Sequence, residues 1–142
     1  MKKAYFVMGI CLITGFSVDL KAQSVPTVEE VHHFFHNQKK LVTYREGEAL
    51  YGTYYFLEIH YCPNGYGLYG HSVKKTVLGN EQRNNWQEFG TWKVMEQNGL
   101  TGIFYTTTAG AKNFIPIYKY SDGSYSSGEG ISIVNKGAAI CM

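Results

Sequence analysis

The feature that most constrains the fold of this 142-residue chain is a series of tight-turn signals between runs rich in aromatic and β-branched residues. The turns are Cys62-Pro63-Asn64-Gly65, Asn98-Gly99 and Asp122-Gly123. In each of them Gly accepts the positive φ of a tight turn, and Pro63 presets the first turn position. The signals predict three β-hairpins, which join residues 54–62 to 66–77, 90–97 to 100–108, and 114–120 to 124–127.

These hairpins predict a mainly β fold in which strands follow one another as an antiparallel meander. A strand near residues 41–45 and a final strand at 131–134 bring the count to seven or eight. A meander of this length must hide its edge strands, so we expect it to close into a small up-and-down barrel or to form a strongly curved sheet. No alternation of strands and helices is present that would indicate a parallel sheet.

One helix is predicted before the strands, over residues 27–40. Thr27 and Glu30 have the spacing of a capping box. The apolar residues of the segment form one stripe at helical spacing, namely Val28, Val31, Phe34 and Phe35. We expect this stripe to pack on the sheet or to plug one end of it.

The N-terminus has the three parts of an export signal. Lys2 and Lys3 precede an apolar run over residues 4–16, and a short polar stretch ends at Ala22. We therefore predict a signal peptide at 1–22, an N-terminal segment with the helix at 23–40, and a β-barrel domain at 41–142. The alternative is an N-terminal membrane anchor, which the shortness of the run disfavours. The chain is predicted to be secreted or periplasmic, without a stable membrane anchor.

Charge excludes one class of partner once the signal is set aside. Of the 13 Lys and Arg residues three lie in the signal, and of the 11 Asp and Glu residues one does, which leaves ten of each. A neutral mature chain offers no basic face, so no nucleic-acid partner is expected.

Cys62 and Cys141 are the two cysteines that remain after cleavage. An even pair in an exported chain indicates a disulfide more readily than a metal or catalytic site. Such a bond would tie the C-terminal tail to the first hairpin.

The abundance of aromatic residues is the main hint of function, because Tyr combines apolar area with a hydroxyl group and suits a small amphipathic ligand. The candidates for lining a ligand cavity are Trp92, Tyr105, Tyr118, Tyr120, Tyr125, Tyr69 and Trp86. Trp86 lies in the polar stretch 79–88, which is predicted to be a mobile loop. The alternative is that these side chains only fill the core.

The register of the first hairpin decides which side chains face the interior. If Cys62 pairs with Tyr66, the inner face carries Tyr55, Leu57, Ile59, Tyr61, Tyr69 and His71. Tyr66 and Leu68 then face outward. The same pairing places His60 and His71 on opposite faces, so they are not expected to share a site.

Chemistry-bearing motifs are scarce. The chain has no nucleophile elbow, no phosphate-binding Gly loop, no HExxH and no CxxC, so no enzyme and no cofactor is predicted. His32 and His36 are four apart on the predicted helix and could ligate one metal ion, with Glu29 as an added ligand. The alternative is a solvated helix face.

The strand run Tyr54-Tyr55-Phe56, the turn Cys62-Pro63-Asn64-Gly65 and the segment Gly90-Thr91-Trp92-Lys93-Val94 resemble small secreted bacterial lipocalin-like (calycin-like) β-barrel proteins over about residues 50–135. The resemblance implies a barrel with an open mouth that binds a small apolar ligand. It offers no catalytic residue. The expected function is an exported, non-enzymatic domain that binds a small hydrophobic or aromatic molecule in its cavity. The alternative is a module that binds an extracytoplasmic protein, such as an inhibitor of a secreted enzyme, through residues 79–88 or the helix.

Overall fold

The computed structural model describes residues 23–47, 51–128 and 130–141. The predicted signal peptide, residues 1–22, lies outside this range. The described elements are β1 (Gln23–Ser24), α1 (Val28–Phe35), β2 (Gln38–Glu46), β3 (Thr53–Cys62), β4 (Gly65–Lys75), β5 (Glu81–Gln97), β6 (Leu100–Thr107), β7 (Lys112–Pro116), β8 (Tyr118–Tyr120), β9 (Tyr125–Ser126) and β10 (Ser132–Ala138).

Helix α1 begins where the sequence predicts and ends five residues earlier. The side chain of Thr27 accepts from the amide of Glu30, and the Glu30 carboxylate accepts from the amide of Thr27, so the capping box is confirmed. The predicted end at residue 40 is wrong. The backbone leaves helical geometry at His36, and Asn37 has a φ of 59°. Lys39 and Lys40 therefore belong to β2 rather than to a last helical turn.

The predicted antiparallel, mainly β architecture is confirmed. Seven strands form one sheet in the order β10-β2-β3-β4-β5-β6-β7, and β1, β8 and β9 form a second, small sheet. The three predicted turns connect β3 to β4, β5 to β6, and β8 to β9. Asn98 and Gly99 both adopt positive φ, at 53° and 78°, which is the geometry of a two-residue hairpin loop.

The large sheet is strongly curved, and β5 is the strand that bends it. Residues 81–90 pair with β4, whereas residues 90–97 pair with β6. Gly90 is common to both ladders, and a Cβ atom there would lie 2.1 Å from the carbonyl oxygen of Thr106. Only glycine, which has no Cβ atom, lets β5 approach β6 this closely.

Closure into a barrel is not observed among the described strands, since no hydrogen-bonded ladder joins the edge strands β7 and β10. The segment between them crosses the gap instead. Phe34 of α1 packs on Tyr125 of β9 with ring centroids 4.4 Å apart, and Glu30 pairs with Lys119 of β8. Helix and small sheet together cover this side.

The register of the first hairpin differs by one residue from the prediction. Cys62 pairs with Gly65, not with Tyr66, because the loop contains only Pro63 and Asn64. This shift turns every side chain of β4 over. The predicted inner face of β3 (Tyr55, Leu57, Ile59, Tyr61) is retained, but Tyr66 and Leu68 join it, whereas Tyr69 and His71 lie on the outer face. His60 and His71 therefore share the outer face, separated along the strands.

The predicted mobile loop at 79–88 is also wrong. The chain turns at residues 76–80, where the carbonyl of Asn80 accepts from the amide and hydroxyl of Thr76, and β5 begins at Glu81. Consecutive polar residues over 81–85, on both faces of the strand, conceal it in the sequence.

The predicted disulfide between Cys62 and Cys141 is confirmed, with 5.7 Å between the Cα atoms. The bond holds the C-terminal tail against the outer face of β3. A second contact supports it, since the amide of Ile140 donates to Nδ1 of His60 over 2.9 Å. The other ring nitrogen of His60 lies 2.9 Å from the Glu58 carboxylate. His60 is thus buried as an anchor for the tail.

Candidate functional site

A cavity of about 610 Å³ lies on the concave side of the large sheet. All seven strands of that sheet contribute lining residues, so the two edge strands face the same interior space. Its walls are mainly aliphatic and aromatic, and include Val42, Leu57, Ile59, Leu68, Ile115 and Ile133. The volume lies within the range of small-molecule sites in proteins.

Helix α1 occupies one end of the space inside the curved sheet. Val31 and Phe35 are 0% and 1% exposed, and the Phe35 ring meets the ring of Tyr61 edge to face. Phe35 also borders the cavity, so it forms part of its floor. Val31 and Phe35 of the apolar stripe therefore plug one end of the curved sheet, which is one of the two arrangements that the sequence predicts.

The opposite side of the cavity reaches solvent. Ala111, Lys112 and Asn113 line it and are exposed, so the turn between β6 and β7 forms part of its rim. At the end of the cavity away from the helix, the rings of Tyr44 and Tyr55 stack with centroids 4.7 Å apart. Tyr55 meets Trp86 edge to face. Tyr44 and Trp86 line the cavity directly.

Trp86 is positioned by a glycine on the neighbouring strand. Gly70 of β4 pairs directly with Trp86 of β5, and a Cβ atom at Gly70 would lie 2.2 Å from the indole ring. The ring thus lies flat over the glycine backbone on the inner face. The aromatic surface of Trp86 is held in place by the sheet instead of moving with a loop.

Four polar side chains introduce hydrogen-bonding groups into this apolar interior. The hydroxyl groups of Tyr61 and Tyr105 lie 2.7 Å apart, and the hydroxyl of Tyr66 donates to the Glu88 carboxylate over 2.8 Å. Burial raises the pKa of Tyr66, and the hydrogen bond to Glu88 raises it further. Burial also raises the pKa of Tyr61 and Tyr105. These tyrosines therefore remain neutral donors at physiological pH.

The predicted ligand-lining residues separate into four groups. Tyr105 and Trp86 line the cavity. Trp92 lies on the inner face of β5, but it belongs to the packed end, where its indole N–H donates to the carbonyl of Cys62 and its ring meets Tyr61 and His32. Tyr69 is 41% exposed on the outer face. Tyr118 and Tyr120 are half-buried in β8, and Tyr125 in β9 packs on the helix; none of these three lines the cavity.

Sequence reasoning missed Glu88 and Tyr44 as lining residues. Glu88 was recoverable from alternation, since counting back in steps of two from Trp92 through Gly90 gives Glu88 and Trp86 on one face. The polar residues of 80–87 masked this signal.

The weak metal candidates His32 and His36 are brought together, but as stacked rings. Their centroids are 4.8 Å apart with an angle of 22° between the planes. Nitrogen lone pairs lie in the ring plane, so stacked imidazoles do not direct them at one point. In the part of the chain that the structure describes, no three His, Cys, Asp or Glu side chains gather as a metal site.

A second, shallow recess of about 800 Å³ lies on the outer face, beside the C-terminal tail. Three aromatic side chains are exposed along this face, at 39% for Phe56, 41% for Tyr69 and 44% for Phe89. Tyr69 meets Phe89 edge to face with centroids 5.9 Å apart. We call Phe56, Tyr69 and Phe89 the outer aromatic row.

Comparison of this chain with protein-family models, with curated proteins and with solved structures finds no match. The lipocalin-like resemblance therefore remains an expectation from the sequence. Of the residues described, none forms an apolar helix of the length that a membrane crossing requires.

Proposed function

We propose that this protein is an exported, non-enzymatic domain that binds a small hydrophobic or aromatic molecule in the cavity of its curved sheet. The observation that carries the proposal is the cavity itself, which is large, walled mainly by apolar side chains and open at the turn between β6 and β7. When a ligand replaces water in such a space, it covers apolar surface of the cavity wall. This burial favours binding by about 25 cal/mol for each Å² covered.

Export is part of the proposal for two reasons. Residues 1–22 have the pattern of a signal peptide. The Cys62–Cys141 disulfide is of the kind that persists in oxidising compartments outside the cytoplasm.

The test is the binding of N-phenyl-1-naphthylamine, a neutral apolar probe whose fluorescence rises in dry surroundings. We expect saturable binding of one probe per chain in protein that begins at Gln23. Leu57→Trp places an indole into the cavity and should weaken binding at least tenfold. Phe56→Trp places the same group one residue away on the outer face and should leave the affinity unchanged.

The absence of saturable binding to the folded protein would refute the proposal. An equal loss in the two variants would refute it too, because the probe would then not distinguish the cavity from the outer face. Circular dichroism of each variant verifies that the sheet is retained.

A second candidate function is binding of an extracytoplasmic protein, and the outer aromatic row favours it. Contiguous exposed aromatic side chains on a sheet face often mark protein-binding surfaces. If this is the function, Tyr69→Ala and Phe89→Ala should abolish recovery of one partner from the extracellular fraction by cross-linking, whereas Leu57→Trp should not affect it.

A further inference from the structure

Glu88 is the acidic residue that lines the cavity. It lies on the inner face of β5, two residues after Trp86, and is half-buried among apolar walls. One carboxylate oxygen accepts the hydrogen bond from Tyr66, and the ring of Tyr66 meets Tyr105 edge to face. An acidic group in an apolar interior is costly unless a hydrogen-bond donor or a cation compensates its charge.

The compensation within the protein is incomplete. Across residues 23–47, 51–128 and 130–141, Glu88 forms no ion pair, and its second carboxylate oxygen has no hydrogen bond. Other carboxylates are paired, for example Glu30 with Lys119. The charge of Glu88 also acts on its neighbours, since it contributes to raising the pKa of Tyr66 and of Tyr105. Glu88 therefore brings a negative charge and a free acceptor oxygen to the cavity wall, whereas Lys112, a cation that also lines the cavity, lies exposed at the rim.

We propose that the cavity selects amines, namely small molecules with an apolar or aromatic body and one protonated nitrogen, and that Glu88 is the counter-ion. This inference rests on the proposed function, because it places the ligand in the same cavity. The ammonium group would donate to the free oxygen of Glu88, and the adjacent Trp86 ring offers its face to a cation. The apolar body would lie against Leu57, Leu68 and Ile133. Carboxylic acids would meet a like charge and be excluded.

Three probes with the same fluorophore and nearly the same size test this selection. They are dansylethylenediamine, which is cationic at pH 7, N-(2-hydroxyethyl)dansylamide, which is neutral, and dansylglycine, which is anionic. Energy transfer from Trp86 to the dansyl group reports binding, and calorimetry gives the affinities. We expect the cationic probe to bind about tenfold or more tightly than the neutral one, and the anionic probe to bind most weakly.

Glu88→Gln keeps the size of the side chain and an acceptor for Tyr66 while it removes the charge. In this variant the three affinities should converge. Glu96→Gln, at the exposed far end of the same strand, should retain the full preference. Tyr66→Phe removes the hydrogen bond but not the charge, so the cationic probe should still bind best.

Each outcome decides a different question. If the neutral probe binds but the cationic probe is not preferred, the amine proposal is overturned and the cavity proposal stands. If none of the three probes binds to the folded chain, the cavity proposal fails as well. If Glu88→Gln does not fold, the order of affinities in the unaltered protein still decides, and an anionic probe that binds as tightly as the cationic one overturns the inference.

Discussion

The two ends of the interior are built from the same sheet, and each contains a tryptophan of β5. At the helix end, Trp92 is surrounded by Tyr61 and His32, and its N–H is hydrogen-bonded. At the open end, Trp86 lies flat on Gly70 with one side toward the cavity. The difference is the helix, which packs against the first tryptophan and leaves the second facing the cavity. We therefore expect side chains at the packed end to contribute most to stability. At the open end, apolar surface faces the cavity instead of packing against other side chains.

The largest expected effect separates these two tryptophans. Trp92→Ala should lower the free energy of unfolding by about 3–5 kcal/mol, because it opens a cavity in packed surroundings and leaves the Cys62 carbonyl without its donor. Trp86→Ala should cost only about 1–2 kcal/mol, because one side of that ring faces the cavity. Urea denaturation followed by circular dichroism measures both values.

Lys93→Ala, next to Trp92 on the exposed outer face, is the control and should change stability by about 0.5 kcal/mol or less. Equal costs for the two tryptophans would show that the two ends are packed alike, which would contradict the comparison.

A smaller effect concerns a buried charge at the helix end. Lys40 is 1% exposed, and its ammonium group lies 3.4 Å from the centroid of the Phe34 ring. Desolvation lowers the pKa of Lys40 to about 8. Between this value and the usual pKa of about 10.4, the unfolded chain holds a proton that the native chain has released. Stability attributable to Lys40 therefore rises with pH across that window, and below it the native state bears the full cost of the buried charge.

Lys40→Met should consequently stabilise the protein at pH 7 by about 1–2 kcal/mol, after allowance for the lost contact with the ring. This advantage should shrink as the pH rises above 8. Lys39→Met, on the opposite face of β2, is the matched control, with an expected change of about 0.5 kcal/mol or less. Denaturation curves at pH 7, 8 and 9.5 measure the difference, and a constant advantage would contradict the role of the charge. The interior tyrosines, whose pKa is raised, lower stability only above about pH 10.

The smallest effect is expected at Gly70, which lies at the open end of the cavity and pairs with Trp86 of β5. Gly70→Ala would place a methyl group into the Trp86 ring, so the ring should swing toward solvent at a cost of about 1 kcal/mol. The tryptophan emission should shift to longer wavelength, and naphthylamine binding should weaken.

Gly67→Ala is the matched control on the outer face. Its methyl group would meet the ring of Phe89 at 3.3 Å, a distance that a small movement of the exposed ring accommodates. Probe binding should be unchanged in this variant. If Gly70→Ala leaves both emission and binding unaltered, Trp86 is not held by the sheet in the way described.

Much of the fold could be predicted because its signals are local. The capping box at Thr27 and the turn at Asn98-Gly99 follow from residue types at fixed spacing, whereas the pair Cys62–Cys141 follows from the number of cysteines that remain after the predicted signal. The errors arose where the outcome depends on partners distant in the chain. The prediction for the register of the first hairpin differs by one residue, which turns Tyr69 outward. The first part of β5, residues 81–88, is wrongly predicted as a loop because residues 81–85 are polar on both faces of the strand.

The candidate site was predicted only in part for the same reason. Residue type predicts that Tyr105 and Trp86 line the cavity. Nothing local distinguishes them from Tyr118 or Tyr120, which lie in the small sheet. Glu88 becomes informative only when the curved sheet surrounds it with apolar side chains.

The sequence by itself determined that the described chain would be antiparallel β with one capped helix and one disulfide, because turns, caps and alternation act over a few residues. The tertiary structure alone decided which tryptophan packs against the core and which borders a cavity. That outcome depends on the bend of β5 at Gly90 and on the packing of α1 against one end. Both bring together residues far apart in the chain, and the free energy of packing is fixed only when those surfaces meet.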